Sequence, residues 1–289
     1  MSCNEAGPGE SKLDCSNDCT ETNSENRSAE CHGNTKLCDI RFNELVYAVT
    51  HNAMNNAEEG WFAPNQRFPI AQQLDEGIRG LMLDAYEKQN QAVLCHSSCL
   101  LGRISLRESL ETICAFLNAN PKEIITLFFE NYASPESIYA AFEQSGCLEL
   151  IYTHKPKDPW PTLTEMASED QRLVVFADEG GGAYPWLHDM WDFNWENHWH
   201  YEAVEEFDCS ANRGSPDNTL FILNHFLTNP IALEHLAEEA NQEKILMQQI
   251  DRCSKEHART PNFIAVDFYS IGDVLEVVDQ LNLERVGSP

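Results

Sequence analysis

Leu81-Met82-Leu83-Asp84-Ala85-Tyr86, residues 81–86, reads as a buried β-strand that runs into a carboxylate. The run is short, continuous and apolar, the pattern of a strand covered on both faces. Strand side chains alternate, so Asp84 shares a face with Met82. A carboxylate at the end of such a run must be paired or bound to a cation, because burying it alone is costly.

The same pattern recurs outward from this strand. Leu45 to Val49 leads to Thr50-His51-Asn52, Ala92 to Leu94 leads to Cys95-His96, and Ile124 to Phe129 ends at Glu130. Later runs end at Ala177-Asp178-Glu179, Asn224-His225 and Asp267-Phe268-Tyr269. Between them lie helical patterns: Ile70–Glu76, Ile104–Leu117, Ser134–Gln144, Ile231–Glu239, Glu243–Cys253 and Gly272–Leu281. About seven strands alternating with helices favour a closed or nearly closed α/β barrel. Strand C-terminal ends converge on one face of a barrel, and chemistry is built there.

Composition narrows the function. The chain has 289 residues, of which 42% are hydrophobic, enough for a barrel of roughly 250 residues. No run of about 18 apolar residues offers a membrane span. A formal charge of −28 argues against nucleic acid as partner and against charge-driven adsorption to anionic lipid. High solubility is the plain reading of that charge, and a bound divalent cation would relieve it locally. No obligate protein partner is evident.

Eleven cysteines point to an oxidising compartment and a secreted protein. Cys3, Cys15, Cys19, Cys31 and Cys38 crowd a polar segment without apolar periodicity. Residues 1–38 therefore read as a Cys-rich, irregular arm that packs on a barrel domain of residues 39–289. Disulfides are the natural cross-links there. A zinc site using Cys15, Cys19, Cys31 and His32 is the rival. Asn26-Arg27-Ser28 is a glycosylation sequon. The first residues lack the charged and apolar regions of a signal peptide, so an exported chain would already have lost it.

His51 and His96 supply two imidazoles for proton transfer, one toward an attacking hydroxyl and one toward a leaving oxygen. Asn52, Asp84 and Glu130 are oxygen donors of the kind Ca2+ prefers. Each has a plainer reading: Thr50-His51-Asn52 as a turn, His96 as a structural histidine, Arg79 or a histidine as the partner of a carboxylate. Arg79, Asn224, His225 and Tyr269 stand near strand ends as candidates for contacting substrate. Tyr184 to Tyr201 carries Trp186, Trp191, Trp195 and Trp199. That stretch reads either as an aromatic cluster burying a long loop or as a surface for a lipid interface or a sugar. His188, His198 and His200 read as structural or surface groups.

Thr50-His51-Asn52, Gly77-Ile78-Arg79-Gly80-Leu81-Met82-Leu83-Asp84, Leu94-Cys95-His96 and Phe128-Phe129-Glu130-Asn131 resemble the catalytic X region of phosphatidylinositol-specific phospholipase C. Arg172 to Phe176 and Pro261 to Tyr269 are similar to the X-domain-only phosphodiesterases. The resemblance runs from about Phe42 to about Asn282. It implies a distorted TIM-type (β/α) barrel and cleavage of a phospholipid or inositol phosphodiester, with transient contact to a membrane surface. It further implies His51 as base or phosphorane stabiliser, His96 as general acid and Asp267 as the carboxylate orienting His51. Asn52, Asp84 and Glu130 fall on calcium ligands.

Two departures stand out. Met82 occupies the place of a further acidic calcium ligand, and Tyr86 the place of the arginine used by metal-free members. Ring-phosphate lysines have no match after Phe176, where Asp178-Glu179 stand and would repel phosphorylated head groups, which leaves unphosphorylated phosphatidylinositol, a glycosylated form or another phosphodiester as substrate. Rival functions are a glycerophosphodiester or sphingomyelin-type phosphodiesterase and a catalytically weak lipid- or glycan-binding barrel.

Overall fold

Alternation along the strands builds two cores at once. In the computed structural model, which describes residues 30–287, inward residues such as Val49, Phe128, Val174, Ile222 and Phe263 fill the barrel axis. Their outward neighbours, among them Leu81, Leu83, Leu127, Val175 and Ile264, pack under the helices. Successive strand side chains point to opposite faces, so one apolar run serves both layers.

The parallel strands are β1 (Tyr47–Thr50), β2 (Gly80–Lys88), β5 (Ile125–Tyr132), β6 (Leu173–Ala177), β7 (Leu187–Asp189), β8 (Asn194–Asn197), β10 (Leu220–Asn224) and β11 (Phe263–Val266). They lie in the order β7-β6-β5-β2-β1-β11-β10-β8. Among the described residues no strand pairing joins β7 to β8. The barrel is thus an eight-stranded TIM-type sheet left open at one seam, bridged by the short helix Met190–Phe193. Three strands are additions. β3 (Gln91–Leu94) turns back antiparallel on β2, β4 (Ile104–Ser105) pairs with β3, and β9 (Ala211–Gly214) pairs antiparallel with β8.

This corrects one expectation. The run before His96 is not a barrel strand but the returning arm of a hairpin, with Ala85 opposite Leu94. Two barrel strands, β7 and β8, lie in the tryptophan-rich stretch and are too short for periodicity to reveal.

The outer helices are α1 (Ile70–Asp75), α2 (Leu106–Ala119), α3 (Pro135–Ser145), α4 (Leu163–Ser168), α5 (Met190–Phe193), α6 (Glu234–Ala240), α7 (Glu243–His257) and α8 (Val274–Arg285). Local chemistry sets their ends. Ser134 caps α3 with Pro135 following it, Gly146 ends it in a left-handed conformation, and Thr162 with Glu165 forms a capping box on α4. Gly80 is required where β1 meets β2, because a Cβ there would lie 2.5 Å from Val49 Cγ2.

Four disulfides are present among the described residues: Cys31–Cys38, Cys95–Cys99, Cys114–Cys147 and Cys209–Cys253. Cys31 is therefore no zinc ligand. Cys31, Leu37 and Cys38 join the inner core, so the described end of the arm packs on the barrel. Cys3, Cys15, Cys19, the sequon and the rest of the arm lie outside the described residues.

Candidate active site

The inward face of the strands ends in polar groups rather than apolar ones. His51 follows β1, Asp84 lies at the middle of the long β2, Glu130 is near the end of β5, and Asp178 follows β6. Glu196 is in β8, Asn224 ends β10, and Asp267 follows β11. Asp84 and Glu130 are direct register partners across β2 and β5. These residues, Asp267 excepted, line one cavity of about 760 Å³, together with Asn52, Met82, His96 and Arg213.

His51 Nδ1 donates to Asp267 Oδ1 at 2.9 Å, and the Asn52 amide donates to His51 Nε2 at 3.1 Å. That pairing assigns the tautomer with its lone pair on Nε2. The ring stacks on Phe226 at 3.9 Å between centroids. Asn65 Nδ2 also donates to Asp267 Oδ1, at 2.9 Å, while Asp267 Oδ2 is buried without a partner among the described groups. Burial alone would lower the His51 pKa, but the charge and hydrogen bond of Asp267, aided by Asp84 and Glu130, outweigh it and raise the pKa.

His96 comes to the cavity on the β3–β4 connection, and its Nδ1 lies 3.1 Å from Asp84 Oδ2. The pairs repeat one design: an imidazole whose Nδ1 is held by a carboxylate. Burial pushes the Asp84 carboxyl up; His96 opposes this and Glu130 adds to it. Glu130 accepts from the Tyr132 hydroxyl, and Tyr132 stacks on Tyr86 at 4.7 Å.

Asp84, Glu130 and Asn52 offer oxygens on adjoining parts of the wall. One Asp84 oxygen is taken by His96 and one Glu130 oxygen by Tyr132, which leaves each carboxylate an oxygen for a hard cation. Among the described residues no three His, Cys, Asp or Glu side chains could hold a metal by themselves. A calcium ion would need the Asn52 amide and water to complete its shell. Met82 lies on the same wall and offers no oxygen.

Three expected substrate contacts are corrected. Arg79 precedes β2, at the opposite end from the cavity, where it binds Glu123 at 2.6 Å and the Leu74 and Ile78 carbonyls. His225 follows Asn224 by one residue and so faces outward, buried between Gln249 and the Ala240 carbonyl. Tyr269 donates to Glu76 at 2.6 Å, away from the cavity. Asn224 does line the cavity and donates to Glu196 Oε2 at 3.0 Å.

Arg213 escaped the sequence reading. It reaches the cavity from β9, with Nε 2.6 Å from Glu196 and its guanidinium 4.6 Å over the Trp191 ring. A Cβ on Gly214 would lie 2.2 Å from the Asn194 carbonyl, so glycine there lets β9 lie close against β8. Asn65 and Phe226 escaped too, as neither stands in a periodic run. The four tryptophans divide: Trp195 is buried on Phe221, Trp186 packs on Phe142, Trp191 meets Arg213, and Trp199 is half exposed at the cavity mouth.

A family model described as PI-PLC X 1 matches residues 37–282. The chain belongs to the PI-PLC X family. A PI-PLC X domain-containing protein of Arabidopsis thaliana is 32% identical over 279 residues, covering 84% of this chain and 63% of that protein. An uncharacterized secreted protein of Arthroderma benhamiae is 27% identical, covering 88% of this chain and 64% of its own. The chain thus spans under two thirds of these two relatives. Phosphatidylinositol-specific phospholipase C from Listeria monocytogenes superposes with a TM-score of 0.57 at 18% identity, covering 87% of this chain and 96% of that one. A pentafluoro-Phe-incorporated form of phosphatidylinositol-specific phospholipase C from Staphylococcus aureus gives 0.60 at 15%, covering 83% of this chain and 93% of that one. At these identities the likeness concerns the fold, and it agrees with the TIM-type barrel of the PI-PLC X family.

Proposed function

We propose that this PI-PLC X protein is a secreted phosphodiesterase that cleaves phosphatidylinositol-type diesters by acid–base catalysis from two histidines. The supporting observation is the pair of imidazoles in one cavity, each with Nδ1 held by its own carboxylate, Asp267 or Asp84. His51 Nε2 takes the proton of the inositol 2-hydroxyl as that oxygen attacks phosphorus. Protonated His96 gives a proton to the diacylglycerol oxygen as its bond to phosphorus breaks. The products are diacylglycerol and a cyclic inositol phosphate. Asp267 keeps His51 in the tautomer this requires and stabilises the imidazolium that forms.

Asn52, Asp84 and Glu130 are the residues that would hold Ca2+. The ion, when bound, would neutralise phosphate charge and lower the pKa of the attacking hydroxyl.

The walls favour an unphosphorylated head group. Asp178 and Glu196 sit beyond the histidines, with Arg213 between them at 4.0 and 2.6 Å. Hydroxyls can bind such a mixed array, whereas added phosphates would meet carboxylates. A lipid surface is supported by the rim, where Phe62 (67% exposed), Leu101, Trp199 and Ile231 line the mouth and Leu100 (96% exposed) adjoins it. With a net charge of −28, apolar insertion rather than attraction to anionic lipid would dock this rim. The S. aureus structural neighbour is itself a protein whose membrane binding has been modulated. Four disulfides and a relative named as secreted support the extracellular location.

The test is a phosphodiesterase assay over a lipid panel, with Ca2+ and with chelator, read by phosphorus NMR. Cyclic inositol phosphate from phosphatidylinositol is expected, together with a loss of about 10²-fold or more in His51→Ala and His96→Ala with the fold intact. Full activity in either variant would remove the acid–base assignment.

A further inference from the structure

His96 lies inside a covalent ring. Cys95 and Cys99 are disulfide-bonded at a separation of 4 residues, and His96, Ser97 and Ser98 are the residues between them. The ring belongs to no helix or strand. Cys95 N–H donates to the Asp84 carbonyl at 3.1 Å, whereas the other backbone bonds are local, Ser98 N–H to the His96 carbonyl at 2.6 Å and Leu101 N–H to the Ser98 carbonyl at 2.9 Å. Ser97 adopts a left-handed conformation (φ 57°). The chain then passes to Leu100, which projects into solvent. A segment with so few bonds to the body opens readily unless something ties it down.

The other disulfides differ in kind. They span 7, 33 and 44 residues and join buried cysteines outside the cavity wall. A cross-link restrains the unfolded chain more as its loop lengthens, so the shortest ring contributes least to global stability by that route. Its effect must be local, and what it encloses is the histidine paired with Asp84 at 3.1 Å.

We propose that the Cys95–Cys99 disulfide is the positioning element for His96: the closed ring holds the imidazole against Asp84 in the cavity, and opening it releases the imidazole. This rests on the acid role given to His96 above. Cys99 is half-buried, whereas the other seven cysteines of the described disulfides are buried. A soluble dithiol therefore meets this bond first. Its thiolate attacks Cys99 Sγ, the S–S bond breaks and Cys95 leaves as a thiolate that takes up a proton. The second thiol of the reagent then displaces Cys99, and the dithiol becomes a cyclic disulfide.

The test uses the full chain with both cysteines replaced, Cys95→Ala with Cys99→Ala, against Cys114→Ala with Cys147→Ala. On a water-soluble inositol phosphodiester, the first pair is expected to lose about tenfold or more in kcat with KM within about twofold, the scale of a lost supporting contact. The second pair is expected to lower Tm more and leave kcat within about twofold. In NMR spectra, the Overhauser contact between the His96 ring and the Asp84 β protons is expected in the parent protein and absent from the first variant. Should that variant fail to fold, limited dithiol treatment of the parent, with the opened bond mapped by mass spectrometry, must give the same loss and recover on reoxidation. Retained kcat, or a retained ring contact, overturns the positioning role. If the parent protein turns over no inositol phosphodiester, the functional reading has failed, and the NMR contact alone decides whether the ring places His96.

Discussion

His51 and Asp267 are 216 residues apart in the chain and 2.9 Å apart in space, the first just after the opening strand and the last just after the closing one. β1 pairs with β11 in parallel, Thr50 opposite Val266, so the pairing of the first and last strands itself sets the contact. Phe268 then turns left-handed (φ 47°), Asn65 anchors the same carboxylate oxygen, and the carboxylate cannot swing away without breaking both bonds.

Asp267→Asn is expected to cut kcat/KM by roughly 10²-fold, the scale for losing an orienting partner. The His51 pKa is raised above the ordinary 6.5, so the limb of kcat/KM that reports the free base should rise above pH 6.5 and move lower in the variant. The linkage sign follows. A raised folded-state pKa stabilises the fold below pH 6.5, and that contribution fades as pH climbs through the raised value. The variant should therefore show a flatter stability curve on the alkaline side of pH 6.5, measured by urea unfolding across pH.

Asp84 and Glu130 are register partners on the inner wall, and the charge of Glu130 works against that of Asp84 even though His96 holds one Asp84 oxygen. Millimolar Ca2+ is expected to raise the Tm of the parent protein by mass action. Glu130→Gln should weaken that rise and also raise Tm in chelator, because one of two mutually repelling carboxylates is gone. Scanning calorimetry with and without Ca2+ reads both effects, and an unchanged Tm in all four conditions would remove the cation site.

The rim should separate surface binding from turnover. Leu100→Ser with Phe62→Ser is expected to weaken sedimentation with phosphatidylcholine vesicles by about tenfold or more, given roughly 1.5–3 kcal/mol per buried large apolar side chain. Hydrolysis of a water-soluble substrate should stay within about twofold. Equal losses in both assays would mean the rim belongs to the catalytic fold rather than to docking.

Gly80 tests the β1–β2 contact on which the position of Asp84 depends. Gly80→Ala puts a methyl 2.5 Å from Val49 Cγ2 in a fully buried site, and about 1–3 kcal/mol of destabilisation is expected. Val49→Ala in the same chain should recover part of that loss, because the crowding methyls are gone. Chemical denaturation of the single and double variants gives the coupling directly.

The site was legible wherever a polar residue interrupts or ends an apolar strand. His51, Asp84, Glu130 and Asn224 are such residues, and alternation turns them toward the same axis. Arg79, His225 and Tyr269 were misplaced for related reasons. Arg79 stands at the start of a strand, and parallel strands carry their starts to the far end of the barrel. His225 is one step along from Asn224, and one step reverses the face. Tyr269 lies beyond the left-handed Phe268, where strand periodicity no longer holds.

The amino-acid sequence alone determined the alternating apolar runs, their polar ends and hence the α/β barrel with two histidines and several carboxylates near one mouth, because these follow from short-range periodicity. Only the tertiary structure decided which face was inward, that His96 arrives on a hairpin within a disulfide ring, and that Arg213 enters from an added strand. It also decided that most of the exposed large apolar residues described, Leu283 excepted, gather round a single rim. Those relations depend on strand order and register, which join residues far apart in the chain and leave no mark in local pattern.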